Sequence, residues 1–200
     1  MDSIISSGAE AVIYKKDNSI LKKRVSKSYR ISEIDIPIRK YRTRKEAKLL
    51  EKLKDIIPVP GVINSDDTDM IIEMEHISGK KIRDILDKNN YLKISKIIGK
   101  QIALMHDKDI IHGDLTTSNF ILSDKNIYFV DFGLGFVSKK SEDKAVDLHL
   151  LRQALESKHH VICKRSFSTI LKEYEKNYPD SKDILKRLEK VEERGRNKRK

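Results

Sequence analysis

The chain has a single cysteine, Cys163, and no tryptophan. One cysteine excludes a disulfide within the chain and fits a reducing compartment. Preceded by apolar Val161-Ile162, Cys163 reads as packing material rather than a redox group. No apolar run approaches the roughly 20 residues that span a bilayer. The opening MDSIISSG has no basic stretch ahead of an apolar run, so no secretory leader is expected there. The expected location is cytoplasmic, with no membrane partner. Acidic residues are outnumbered: 31 Asp and Glu face 42 Lys and Arg, a formal charge of +11. Such a surplus suits a polyanionic partner, nucleic acid above all, because bound cations release counterions. A solvated, Lys/Glu-rich surface accounts for the same count. The 200 residues bound the fold to one domain or two small lobes.

The chemistry concentrates in residues 110–133, IIHGDLTTSNFILSDKNIYFVDFG. His112-Gly113-Asp114-Leu115 is followed by Asn119, and later by Asp131-Phe132-Gly133. Between them, two short β-rich runs flank a Ser-Asp-Lys-Asn turn, the pattern of a hairpin. A hairpin returns its ends to one place, so Asp114, Asn119 and Asp131 should converge. Converging hard oxygens suit Mg²⁺ shared with a phosphate chain. In protein kinases the catalytic-loop Asp handles the acceptor proton, while the Asn and the DFG Asp hold metal.

Upstream, residues 3–14 read as strand, turn, strand, with Gly8 in the turn. At the three places of a G-x-G-x-x-G nucleotide loop stand Ser6, Gly8 and Ala11. A third strand at residues 19–24, SILKKR, offers Lys22 and Lys23 on opposite faces as the phosphate lysine; alternation alone leaves the two equal. Residues 22–44 are basic, with Tyr29 and Tyr41 interleaved, which fits a nucleic-acid path and a solvated helix face alike. Pro37 should interrupt or start a helix there. Residues 42–55 form a helix with a stripe of Ala47, Leu50 and Leu53. Thr43 and Glu46 fit a capping box, and Glu46 equally fits the αC glutamate that holds the phosphate lysine.

Two further strands, split by the acidic turn at residues 65–69, lead to a hinge, Glu75-His76-Ile77-Ser78-Gly79, whose backbone suits an adenine edge. The acidic turn lacks the ligand spacing of a calcium loop. Beyond it the pattern turns helical. His106 and His112 read as structural, and His149, His159 and His160 lack a metal-ligand context. After Gly133 there is no Ala-Pro-Glu and no long activation segment, and Gly113 stands where H-R-D kinases have Arg. Asp147 falls where a kinase's central helix supports the catalytic loop. The chain closes on a basic RGRNKRK, expected to be a mobile tail. The fold class is therefore α+β: a two-lobe protein-kinase-like fold with a small antiparallel β lobe and a reduced helical lobe without a full activation segment. The expected divisions are residues 1–75, 76–193 and the tail 194–200.

Several phrases together, HGDLTTSN (112–119), KKRVSKSYR (22–30), RTRKEAKL (42–49) and DKAVDL (143–148) with the Arg-Gly-Arg tail, resemble the small PRPK-type atypical serine/threonine kinases. These are the kinase-like subunits of the KEOPS tRNA-modification complex, here in archaeal form. The resemblance runs essentially the full length, and the single-glycine loop and short segment are traits of that family. It implies Lys22 as the phosphate lysine, Glu46 as its partner, and Glu75 with Ile77 at the hinge. It also implies ATP and Mg²⁺ as cofactors, with Asn119 and Asp131 on the metal and Asp114 orienting the attacking water or hydroxyl. The implied role is support of threonylcarbamoyladenosine formation at tRNA position 37. The implied partners are the Kae-one-type transferase subunit, other KEOPS subunits, and tRNA through the basic surface and tail. A separate subunit and the C-terminal half of a fusion are both compatible with the sequence. Two rival readings are a small-molecule phosphotransferase, since H-G-D-x-x-x-x-N occurs in aminoglycoside and choline kinases, and a scaffold that binds ATP and tRNA with little catalysis. This short basic chain lacks room for the acidic acceptor pocket of the first; ATP hydrolysis with and without partner and tRNA separates the second.

Overall fold

The computed structural model describes residues 3–8 and 10–197. β1 (Ser3–Ser7), β2 (Ala11–Lys16) and β3 (Ser19–Arg24) form an antiparallel meander. Lys16 pairs with Ser19, leaving Asp17-Asn18 as a two-residue turn. Asp17 takes φ 45° there, a left-handed conformation that Asp tolerates and that matches the strand twist. α1 (Ser32–Leu53) follows, then β4 (Val62–Asp66) and β5 (Ile71–Glu75). The sheet order is β1-β2-β3-β5-β4, so β3 is central and Lys22 sits between Ile13 and Ile72.

α1 corrects the sequence reading. The helix begins at Ser32, not at residue 42, and passes through Pro37. Thr43 is buried in its interior and donates its hydroxyl to the Arg39 carbonyl at 2.8 Å, so it caps nothing. Pro37 removes one N–H early in the helix, where the carbonyl left unpaired belongs to the first turn. The apolar stripe was legible only where the helix faces the core. Ala47, Leu49, Leu50 and Leu53 are buried, while Ile34 and Ile36 on the first turns are exposed. That first half is held by charge instead: buried Asp35 accepts Arg39 Nε at 2.6 Å.

The second lobe contains β6 (Lys80–Lys81), α2 (Ile82–Ile85), α3 (Tyr91–Asp107) and β7 (Ile110–Ile111). A 3-10 turn (Thr117–Asn119), β8 (Phe120–Ser123), β9 (Asn126–Phe129) and β10 (Phe136–Val137) come next. α4 (Ser141–Lys158), α5 (Cys163–Asn177) and α6 (Ser181–Asn197) complete it. β6, β8 and β9 make one small sheet, and β7 pairs with β10. The β9 end reaches back to the first lobe, where Phe129 N–H donates to the Pro58 carbonyl at 3.0 Å. Only residues 134–140 separate Gly133 from α4. The architecture is thus the α+β, two-lobe kinase-like fold without a full activation segment.

The basic end is less loose than its composition suggests. α6 continues to Asn197, into the first residues of the span 194–200 expected to be a mobile tail. Arg194 and Arg187 both reach Glu142 at the start of α4, at 2.7 and 3.0 Å. Lys198, Arg199 and Lys200 lie outside the described residues, as do Met1, Asp2 and Ala9. Among the described residues no helix is long and apolar enough to cross a membrane. Cys163 is buried, and burial pushes its thiol pKa up, as suits packing material.

α3 and α5 cross at Gly99, where an added Cβ would lie 2.4 Å from the Ile170 carbonyl oxygen. In an open helix Gly→Ala gains about 1 kcal/mol. Here the overpacking cost of about 1–3 kcal/mol wins. Gly99→Ala is expected to lower the melting temperature by about 2–6 °C, read by circular dichroism; a rise would contradict this crossing.

Candidate active site

Strand alternation decides which lysine enters the cleft once α1 covers one face of the sheet. Lys22 is 7 % exposed, and its ammonium donates to Glu46 Oε1 at 2.6 Å and Asp131 Oδ1 at 2.7 Å. Lys23 points to solvent. Burial disfavours the Lys22 charge, but Glu46 and Asp131 more than offset it, so its pKa is raised and the group stays protonated. Asp131 shows the reciprocal balance. Burial pushes its carboxyl up, while Lys22 and the Gly133 N–H hold it below the usual carboxylate range. Asp131 adopts φ 65°, in the left-handed region that Asp enters more readily than most side chains.

The catalytic loop is built from β7 outward. Asp147 on α4 accepts His112 N–H at 2.8 Å on Oδ2 and Gly113 N–H at 2.9 Å on Oδ1. Gly113 is left-handed at φ +79°, and a Cβ there would come within 2.5 Å of the Leu134 carbonyl oxygen, so both the turn and the close approach require glycine. His112 is fully buried, with Nε2 to the Val130 carbonyl at 3.1 Å and Nδ1 facing Asp114 N–H at 3.3 Å. Its ring lies 4.5 Å from that of Phe132, which ties the Asp114 loop to the DFG phrase.

Asn119 joins the two halves. Its Nδ2 donates to the Asp114 carbonyl and to Asp114 Oδ2, both at 2.9 Å. Its backbone carbonyl accepts Val130 N–H at 2.9 Å, one residue before Asp131. With Nδ2 committed to Asp114, Oδ1 is the acceptor that remains for a cation. Among the described residues no group of three or more His, Cys, Asp or Glu side chains gathers as a metal cluster. A carboxylate and an amide oxygen are hard donors of the kind Mg²⁺ takes, an ion that keeps waters and shares ligands with phosphates. The donor set therefore fits the ion.

The remaining sequence-derived positions stand apart from this cluster. Ser6 pairs with Ile13 beside a bulge in β1, and Gly8 N–H closes the β1–β2 turn onto the Ala11 carbonyl at 3.0 Å. Glu75 ends β5, its carboxylate accepting Gly61 N–H at 3.3 Å. Ile77, partly buried, makes no backbone hydrogen bond among the described residues, leaving its N–H and C=O for a ligand edge. A cavity of about 630 Å³ between α4, α5 and α6 contains none of these residues. Sequence reasoning missed Arg24, which is 3 % exposed and bonds Glu46 Oε2. The available signal was its i+2 spacing from Lys22, which puts both on one face of β3. Tyr174 was missed as well: its hydroxyl meets His106 Nδ1 at 2.9 Å, while His106 Nε2 meets Asp147 Oδ2 at 3.3 Å.

A family model described as the RIO domain matches residues 13–149. The chain belongs to the RIO-domain family. It is 40 % identical to the KEOPS complex subunit Bud32 of Pyrococcus abyssi, over 96 % of this chain and 95 % of that protein. It is 38 % identical to the EKC/KEOPS complex subunit BUD32 of Enterocytozoon bieneusi, over 98 % of that protein. It is also 42 % identical to a probable bifunctional tRNA threonylcarbamoyladenosine biosynthesis protein of Methanobrevibacter smithii, of which it covers only 37 %. In fold the RIO domain is similar to the Rio2 kinase of Chaetomium thermophilum in an ADP/Mg²⁺-phosphoaspartate complex. The TM-score is 0.63 at 15 % identity, over 96 % of this chain and 70 % of that one. Family and fold are those of kinase-like phosphotransferases.

The Asp147 node carries a pH signature in this RIO domain. Burial, opposed by Asp147, holds the His106 pKa below its ordinary 6.5. Burial likewise depresses His159. The unfolded chain then takes up protons that the folded histidines refuse, so stability is complete above pH 6.5 and falls as pH drops below it. Melting temperature is expected to decline from about pH 7 to about pH 5, and His106→Gln to flatten part of that slope. An unchanged slope in the variant would remove His106 from the account.

Proposed function

We propose that this chain is an ATP-dependent kinase/ATPase subunit of a KEOPS-type assembly that supports formation of threonylcarbamoyladenosine at tRNA position 37. The observation that carries the reading is the buried Lys22 ammonium shared by Glu46 and Asp131, with Asn119 and Asp114 joined beside it. Its Bud32 relatives match end to end and carry the KEOPS name.

Each residue has a physical task. An ammonium has three donors; two go to carboxylates, and the third remains for a phosphate oxygen of ATP. Glu46, 1 % exposed, keeps Lys22 charged and aimed. Asn119 and Asp131 would hold Mg²⁺, which would neutralise charge on the phosphate chain. Asp114, steered by Asn119 Nδ2, orients the attacking oxygen and takes its proton. That oxygen belongs to water or to a Ser/Thr hydroxyl. The Ser6–Gly8 turn covers the phosphates, and the backbone near Glu75 and Ile77 receives the adenine edge. The lobes are residues 1–75 and 76–193, with a basic end from 194. The charge of +11 suits tRNA as a polyanionic partner, alongside a transferase subunit; relatives of which this chain covers 37 % carry tRNA threonylcarbamoyladenosine biosynthesis in their name. The setting is cytoplasmic.

Asp131→Ala is expected to cut ATP turnover on the order of 10²–10³-fold while the far-ultraviolet spectrum stays native. Free phosphate and phosphoprotein are tracked together with labelled ATP in a single turnover, with and without tRNA. Wild-type turnover in the variant would sink the assignment.

A further inference from the structure

The β1–β2 turn has little to hold it over the cleft. All five residues of β1 are exposed, so apolar packing does not anchor it. A glycine-rich loop presents backbone N–H groups to phosphates, yet here the Gly8 N–H is spent on the Ala11 carbonyl. What fastens the turn is charge. Glu10 follows it, and its carboxylate meets Arg42 of α1 and lies 3.8 Å from Arg24 Nη1. Arg24 in turn bonds the second oxygen of Glu46, whose first oxygen holds Lys22.

Six side chains therefore alternate in sign from the DFG carboxylate to the turn: Asp131, Lys22, Glu46, Arg24, Glu10, Arg42. Glu46 needs only Lys22 to perform the familiar kinase pairing. The second cation on it is unexplained by that task and is costly. Arg24 is buried, and its Nε has no partner among the described residues. Buried charge of this kind adds little net stability, so what it supplies is geometry. Its Nη2 also lies 3.1 Å from where a Gly133 Cβ would stand, so the guanidinium rests against the DFG backbone. The hydrogen bond from Arg42, with burial opposing, holds the Glu10 carboxyl below its usual range, as expected of an engaged carboxylate.

We propose that Arg24 and Glu10 are positioning residues for the nucleotide: Arg24 links the Lys22–Glu46 pair to Glu10 and so holds the β1–β2 turn over the phosphates by ion pairing. This rests on the ATP reading above and names the device that seats the nucleotide.

The test uses ADP with Mg²⁺ as probe, measured by calorimetry on the intact chain, together with KM and kcat for ATP. Glu10→Gln is the first variant, because the Glu10 side chain is 44 % exposed and its loss spares the core. It is expected to weaken ADP about three- to tenfold, with a larger effect on KM than on kcat. The ratio to wild type should shrink as salt rises from about 0.05 to about 0.5 M, because screening loosens the wild-type pair. Amide exchange across residues 3–8 in the ADP complex should quicken in the variant. Arg24→Met should weaken ADP at least as much, and adding Glu10→Gln to it should cost little more, since both act through one link. Equal ADP affinity in wild type and Glu10→Gln overturns the proposal, as do losses that multiply in the double variant. If Arg24→Met does not fold, the Glu10→Gln comparison is decisive by itself. If the wild type binds no ADP, the proposal falls with the ATP reading itself, a result distinguishable from equal binding by both proteins.

Discussion

Lys22 is a buried ammonium between two carboxylates that come from opposite ends of the chain's logic. Glu46 arrives on a helix of the first lobe, and Asp131 on the loop that leaves the second-lobe hairpin. An isolated charge at that depth would be neutralised by its surroundings. With both partners present it stays charged; removing the buried partner, Glu46, costs about 3–5 kcal/mol, while Asp131, with a side chain 53 % exposed, contributes less to stability. The position of α1 against the sheet, the left-handed backbone of Asp131 and the central place of β3 together bring these three groups within reach.

A second node, Asp147, does for the catalytic loop what Glu46 does for the lysine. One carboxylate takes two successive backbone N–H groups and a histidine that is itself held by Tyr174. The loop that carries Asp114 is therefore braced from below by α3, α4 and α5. Because only residues 134–140 separate Gly133 from α4, no extended segment shares this work. The helical lobe supports the loop through buried side chains of three helices.

How much was legible depends on the range of the forces involved. The hairpin at Phe120–Ser123 and Asn126–Phe129 was readable because its turn residues and alternation are local. So was the convergence of Asn119 on Asp114, five residues away. The start of α1 was not readable: a proline and an exposed first half hid a helix anchored by Asp35 and Arg39 rather than by an apolar stripe. At the basic end, composition alone did not show that the helix runs to Asn197 or that Arg194 closes on Glu142, a partner remote in sequence.

By itself the sequence determined the order and spacing of the reactive groups, the family, and the β-then-α succession, since these are written in short-range patterns. The resemblance already pointed to Lys22, but only the tertiary structure supplied the physical reason that it rather than Lys23 is enclosed, because α1 covers one face of the sheet and strand alternation is blind to which. The tertiary structure alone joined Glu10, Arg24 and Glu46 into one line of alternating charge, because three elements must first pack before their side chains share a low-dielectric space.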